Sequence, residues 1–188
     1  RYVIGDYGVT PHVHEQIVRG DPTGTKEGVQ NYGDAMKDAA SAYQFGLLWQ
    51  ITGDAQYAQK GVKILNEWAL KCKAVTSNDR TNMLAAGAQG FTFALAGEEL
   101  RDYEGWSESD FAVFCNWMVE VFSTKNYSFL MNHNGVTCGA GHYWSNWDLV
   151  NLCSYFQIGI LTENDDMINF VVEYFARSGV GNGNINKL

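Results

Sequence analysis

Proline, charge and long apolar runs are all scarce in this sequence. Only 2 of its 188 residues are proline, 18% are charged and 46% are hydrophobic, a composition typical of an ordered globular protein. No apolar run approaches the ~20 residues that a membrane-spanning helix needs. Basic residues are outnumbered by acidic ones, 13 to 21, and the net charge of −8 disfavours binding to nucleic acid or to an anionic membrane surface.

The cysteines lack the C-x-x-C spacing of zinc sites and thiol redox motifs. Their even number and the glycosylation sequon at Asn126 favour a secreted, extracellular glycoprotein. Cys115 and Cys153 fit buried thiols and disulfide partners equally well. Cys138 lies in a glycine-rich segment and is the better disulfide candidate. The pairing among these three cysteines and the fourth, Cys72, is left open.

Apolar residues recur at helical spacing along most of the chain, and no segment requires a strand. The pattern predicts one all-α domain over residues 1–188, made of three antiparallel helical hairpins near 34–70, 82–122 and 146–177. Repeated hairpins of this kind are typical of an α/α toroid.

Turn and cap signals separate the predicted helices. Gly53 should end the first helix, Asp54 should cap the second, and Ser107 should open the fourth. Three hairpins are too few to close a ring and would leave apolar sides uncovered. We therefore expect a second chain, a partner subunit or a C-terminal half to complete the toroid.

The segment from Asn132 to Asp148 is rich in glycine and in side chains that suit sugar rings. Aromatic faces can stack on sugars, and amides and imidazoles can bind hydroxyls and carboxylates. Trp147 and Asp148 taken singly are better explained as a buried helical stripe and a helix cap. The candidate substrate-binding residues of this segment are Asn132, His133, Asn134, Trp144 and Trp147.

Two further groups of polar residues lie outside this segment. Arg80 and Asn82 stand at the predicted entrance of the third helix, where a helix dipole favours anions. His12 and His14 alternate along an extended stretch, but no third ligand is spaced to match them. We therefore predict no metal site.

Several motifs carry a resemblance to a known family. They are Leu48 to Asp54, Leu84 to Gly87 followed by Gln89-Gly90, and above all His142-Tyr143-Trp144-Ser145-Asn146-Trp147-Asp148. Over residues 34–183 the sequence resembles the alginate-lyase-like polysaccharide lyases with α/α-toroid folds, in particular their secreted fungal members. It resembles the N-terminal half, because the family's later Arg and Tyr motif has no counterpart.

The resemblance implies β-elimination on a uronic-acid polymer of the alginate or glucuronan type, without a metal or other cofactor. By position, His142 matches the family histidine and would be the base or the partner of the uronate carboxylate. Tyr143 and Asn146 would complete the catalytic set, and Gln89 would join Arg80 and Asn82 in binding the acidic polysaccharide.

Gly141 stands where the family usually has an asparagine. This departure motivates an alternative from another class of proteins. The chain would then be a non-catalytic, lectin-like or toxin-like secreted protein that keeps the lyase fold.

Overall fold

The computed structural model describes residues 9–20, 30–77, 79–135, 143 and 146–176. Helices cover more than half of the chain, which confirms the all-α class. In chain order the described elements are β1 (Gln16–Val18), α1 (Tyr32–Thr52), α2 (Ala55–Lys71), β2 (Ala74–Thr76), α3 (Asn82–Leu100), α4 (Glu108–Trp117), a π-helical segment (Met118–Ser123), α5 (Thr124–Asn132), a 3₁₀ turn (His133–Gly135), α6 (Asn146–Leu161) and α7 (Asp165–Ala176).

The predicted caps are confirmed at the helix ends. Gly53 ends α1 in the left-handed conformation, with φ of 71°. The side chain of Asp54 accepts a hydrogen bond from the backbone N–H of Gln56 at 2.9 Å and so caps α2. Ser107 caps α4 in the same way, accepting from the N–H of Asp110 at 3.1 Å.

The sequence pattern requires no strand, but the structure contains two short ones. β1 and β2 form a two-stranded parallel sheet in which Gln16 pairs with Ala74 and Val18 with Thr76. Both strands are rich in β-branched residues, and their central residues Ile17 and Val75 are fully buried. Three residues are too few to show a periodicity in the sequence.

The fourth predicted helix is longer than expected. Instead of ending near residue 122, it passes through the π-helical segment into α5 and ends at Asn132. Phe129 and Leu130 of α5 are fully buried, which explains why the helical course continues. The extension brings the end of α5 next to the start of α6.

The helices pack in two layers. One layer contains α1, α3 and α6 side by side, and the other contains α2, the α4–α5 run and α7. Glycines permit the close approach within the first layer: a Cβ on Gly46 would lie 2.7 Å from Cβ of Glu99, and one on Gly87 would lie 2.7 Å from Cγ2 of Val150. The first contact lies near the C-terminal ends of α1 and α3, and the second lies near the N-terminal ends of α3 and α6. The three helices therefore run parallel, and their N-termini lie at one end of the layer.

Aromatic side chains fill most of the space between the layers. The ring of Phe93 on α3 lies 5.6 Å from that of Trp68, 5.2 Å from Trp117 and 6.0 Å from Phe122. A second, smaller cluster surrounds Phe129, at the N-terminal end of α6. None of the described helices is both long enough and apolar enough to cross a membrane.

The structure locates three of the four cysteines and the sequon, the features that favoured an extracellular glycoprotein. Cys72, Cys115 and Cys153 are free thiols, and only Cys72 is buried; Cys138 lies outside the described residues. Asn126 of the sequon is completely buried, and its Nδ2 donates a hydrogen bond to Oδ1 of Asn151 at 2.8 Å. A glycan would have to be attached to that nitrogen, so the expected modification of Asn126 does not fit the folded chain.

Candidate active site

The candidate site lies where α5 ends and α6 begins. His133 follows α5 in a left-handed conformation, with φ of 44°, and Asp148 lies in the first turn of α6. The sequence between them carries His142 and Tyr143. Sequence analysis assigned candidate chemistry to this segment, and the residues at its two ends meet in the structure.

A buried polar cluster joins these ends. Nε2 of His133 lies 2.7 Å from Oδ1 of Asp148, and the hydroxyl of Tyr174 on α7 donates to the same oxygen at 3.2 Å. The Tyr174 oxygen is also 3.4 Å from Nε2 of His133. His133 is only 1% exposed, and Asp148 and Tyr174 are fully buried. We call these three residues the His133 cluster.

The hydrogen-bond role of Tyr174 in the His133 cluster follows from its surroundings. Burial and the neighbouring Asp148 raise the pKa of Tyr174 well above its usual range, so its hydroxyl remains a donor. The other carboxylate oxygen, Oδ2 of Asp148, is buried and has no hydrogen-bond partner among the described residues.

Tyr143 packs directly on the His133 cluster. Its ring centroid lies 5.6 Å from that of His133, 5.4 Å from Phe129 and 5.2 Å from Trp147. Its carbonyl oxygen accepts a hydrogen bond from the backbone N–H of Asp148 at 3.0 Å. Tyr143 is half-buried, so part of its side chain packs on these rings while another part stays accessible to solvent.

Comparison with known proteins identifies the family. A family model described as Alginate lyase matches residues 9–186, nearly the whole chain. The protein belongs to the alginate lyase family. Neither the curated proteins nor the solved structures contain a match. Family membership makes this a protein of the polysaccharide lyase type, as the sequence motifs indicated.

The structure describes only some of the predicted catalytic residues of this alginate lyase family member. Tyr143 lies on the His133 cluster, and Asn146 is exposed at the start of α6. His142 and Trp144 lie outside the described residues, as does the side chain of Asn134. Asn132 is exposed at the end of α5, where its Nδ2 donates to Oγ of Ser128 at 3.3 Å.

Two predicted substrate-binding residues have structural contacts instead. His133 is buried and bound to Asp148, so a polymer cannot reach it in this conformation, and it supports Tyr143 from inside. Trp147 is half-buried and packs its ring 5.7 Å from that of Phe129. For Trp147 this agrees with the alternative interpretation as part of a buried helical stripe.

The predicted binding residues on and before α3 occupy three different environments. Arg80 is exposed and has a left-handed backbone, with φ of 69°. Asn82 is half-buried at the first residue of α3, and its Oδ1 accepts from Oγ of Ser77 at 3.0 Å. Gln89 is 2% exposed, and its Oε1 has no partner among the described residues. Of the three, Arg80 is the one whose side chain is exposed to solvent.

Sequence analysis missed the supporting polar residues. The sequence pattern gives no role to Tyr174 and indicates only a helix cap at Asp148. A second buried group went unnoticed: Oγ of Ser154 donates to Oδ1 of Asn126 at 2.9 Å, and Nδ2 of Asn151 donates to the carbonyl of Trp147 at 2.9 Å. A polar residue at a core-facing helical position, as at 148, 151 and 154, is the signal that could have revealed both groups.

The two N-terminal histidines form polar contacts at the start of α1. Nε2 of His14 lies 2.9 Å from Oδ2 of Asp34, and the backbone N–H of His12 donates to Oδ2 of Asp38 at 2.6 Å. Among the described residues, no group of three or more His, Cys, Asp or Glu side chains is arranged to hold a metal ion.

Proposed function

We propose that this protein cleaves a uronic-acid polymer of the alginate or glucuronan type by β-elimination. The observation that supports it best is the placement of Tyr143 on the buried His133 cluster, next in sequence to His142, in a chain of the alginate lyase family. A half-buried phenol with a rigid support is suited to proton transfer, because its position relative to a bound sugar is fixed.

The proposed reaction assigns a role to each candidate side chain. His142 removes the C5 proton of the uronate and so acts as the general base. Electrons from the broken C5–H bond form the C4–C5 double bond as the bond from C4 to the glycosidic oxygen breaks. Tyr143 donates a proton to the departing oxygen, and the exposed amide of Asn146 helps to neutralise the uronate carboxylate.

The acidic polysaccharide would reach these residues from the end of the layer where α1, α3 and α6 begin. Arg80 and Asn82 stand at that end, beside the first turn of α3, and the helix dipoles there favour carboxylates. The enzyme would encounter such a polysaccharide outside the cell, so secretion is part of the proposal. So is the completion of the cleft by a second chain or subunit.

Ultraviolet absorbance tests the proposal, since elimination creates a double bond conjugated with the carboxylate. The purified protein is mixed with alginate, with polyglucuronate and with an uncharged polysaccharide as control. We expect a time-dependent rise in absorbance with at least one polyuronate and none with the control. Retention of polyuronate in an affinity gel without any rise in absorbance would favour the non-catalytic carbohydrate-binding alternative.

A further inference from the structure

We propose that Asp148 and Tyr174 are positioning residues that hold Tyr143 in its orientation for proton transfer. This inference rests on the proposed function and adds residues that do not touch the substrate themselves. Asp148 supports Tyr143 both directly and through His133. Its backbone N–H binds the Tyr143 carbonyl at 3.0 Å, and its carboxylate binds His133, whose ring packs against that of Tyr143.

The same contacts join residues that precede and follow Tyr143 in the sequence. His133 and Asp148 are 15 positions apart and share a buried hydrogen bond. Tyr174 adds a third attachment from α7, so the packing of α7 on α6 bears directly on the Tyr143 support.

The cost of the His133 cluster argues for a role beyond stability. Asp148 is fully buried, yet its Oδ2 has no partner among the described residues. A buried polar atom without a hydrogen bond is unfavourable, and apolar residues of similar volume can replace buried charged groups without loss of stability. A role in orienting Tyr143 explains why position 148 carries a carboxyl group.

The experiment compares three variants with the wild-type enzyme on the polyuronate that it cleaves. Tyr174→Phe removes one hydroxyl from the His133 cluster, and Asp148→Asn keeps an oxygen acceptor but removes the charge. Tyr155→Phe is the matched control, because Tyr155 is a half-buried tyrosine on α6 that packs against Phe170 rather than in the cluster.

We expect Tyr174→Phe and Asp148→Asn to lower kcat by ~10- to 100-fold, with KM changed less than about twofold, because misplacing a catalytic group affects the transition state more than binding. Tyr155→Phe should keep the wild-type kcat. The imidazole NMR signals of His133 should shift in Asp148→Asn, which reports the contact between these two side chains. The loss of kcat at nearly constant KM is the readout that a merely structural role would not produce. Melting temperatures identify any variant that fails to fold, and Tyr174→Phe is the mildest change.

Different results overturn the two proposals. A wild-type chain that produces no double bond on any polyuronate overturns the proposed function. An active wild-type enzyme whose kcat is unchanged in folded Tyr174→Phe overturns the positioning role alone. An equal loss of kcat in Tyr155→Phe would also overturn it, because the effect would then not be specific to the cluster.

Discussion

Trp68 on α2 donates its indole N–H to Asp38 on α1, with 2.9 Å between Nε1 and Oδ2. The backbone N–H of His12 donates to the same oxygen at 2.6 Å. Asp38 is 2% exposed, and this burial raises the pKa of its carboxyl group despite the lowering effect of the hydrogen bonds from Trp68 and His12. One carboxyl group therefore joins α1, α2 and the segment before β1.

Substitution of Asp38 should affect stability in a pH-dependent manner. Asp38→Ala leaves the buried indole N–H of Trp68 and the partly buried backbone N–H of His12 unpaired, and it should lower the free energy of unfolding by about 2–4 kcal/mol. Asp38→Asn keeps an acceptor and should lower it less. The pKa of Asp38 is raised in the folded state. The stabilising contribution of its carboxyl group is therefore complete below pH 3.8, the ordinary pKa, and is lost as pH rises through the folded pKa.

The measurement is urea unfolding of the wild type and of Asp38→Asn between about pH 3 and pH 7. The asparagine does not titrate, so the advantage of the wild type over this variant should shrink as pH rises. An advantage that grows with pH would mean that the folded state favours the charged carboxylate, contrary to the expected shift.

Replacement of His142 should remove elimination without unfolding the chain. A general base or electrostatic group of this kind typically contributes ~10²–10⁴-fold to the rate, so His142→Ala should lose activity of that order. Lys63→Ala is the control, since the Lys63 side chain is 58% exposed and lies on α2, in the other layer. Absorbance assays and melting temperatures of both variants check the prediction, and an active His142→Ala enzyme would exclude His142 as the base.

The helices could be predicted from the sequence because their evidence is local. Gly53, Asp54 and Ser107 each act within a few residues, and apolar periodicity extends over whole helices. β1 and β2 could not be predicted, because each has three residues and each is stabilised by the other across the chain.

The candidate site could be predicted only in part, for a related reason. The sequence located the segment around His142 and Tyr143 by its composition and family motif. The burial of His133 depends on partners 15 and 41 positions away, Asp148 and Tyr174, which no local pattern connects. A histidine in a polar segment has the same sequence signature whether it faces the solvent or a buried carboxylate.

The sequon at Asn126 should remain unmodified in the folded protein. Asn126 is buried, with Nδ2 bound to Asn151 and Oδ1 bound to Ser154. Ser128→Ala destroys the sequon and leaves these contacts in place. Expressed in a glycosylating host, the wild type and Ser128→Ala should differ in intact mass by one oxygen atom only, whereas a glycan-sized difference would show that modification precedes folding.

The close contact between α3 and α6 should make Gly87 intolerant of a side chain. A Cβ at this position would lie 3.0 Å from the backbone carbon of Val150 and 3.1 Å from the backbone nitrogen of Asn151, so a whole helix would have to move. Gly87→Ala should lower the free energy of unfolding by about 1–3 kcal/mol. Gly33→Ala on α1 is the control, because no neighbouring atom lies within 4 Å of its Cβ, and it should not destabilise the protein. Equal denaturation midpoints for both variants would contradict this account of the packing.

The outer face of the last hairpin should mediate association of the purified chain. An apolar groove lies between α6 and α7, and exposed side chains on it include Leu149, Val172 and Phe175. Within the first layer α1 covers one side of α3 and α6 covers the other, while α6 and α7 end the two layers among the described residues. In a preparation of this chain alone, a second copy is the partner available to cover that groove.

Sedimentation equilibrium over a range of concentrations measures this association, and Val172→Asp should weaken it by placing a charge in the apolar contact. Met36→Asp is the matched control, because Met36 and Val172 are 53% and 54% exposed but Met36 lies on α1, on the other side of the first layer from α6. We expect the wild type and Met36→Asp to dimerise with similar constants and Val172→Asp to dissociate at least tenfold more readily, which corresponds to ~1.4 kcal/mol. A wild type that stays monomeric at every concentration would contradict the prediction, and so would equal weakening by both substitutions, since the association would then not depend on the α6–α7 groove.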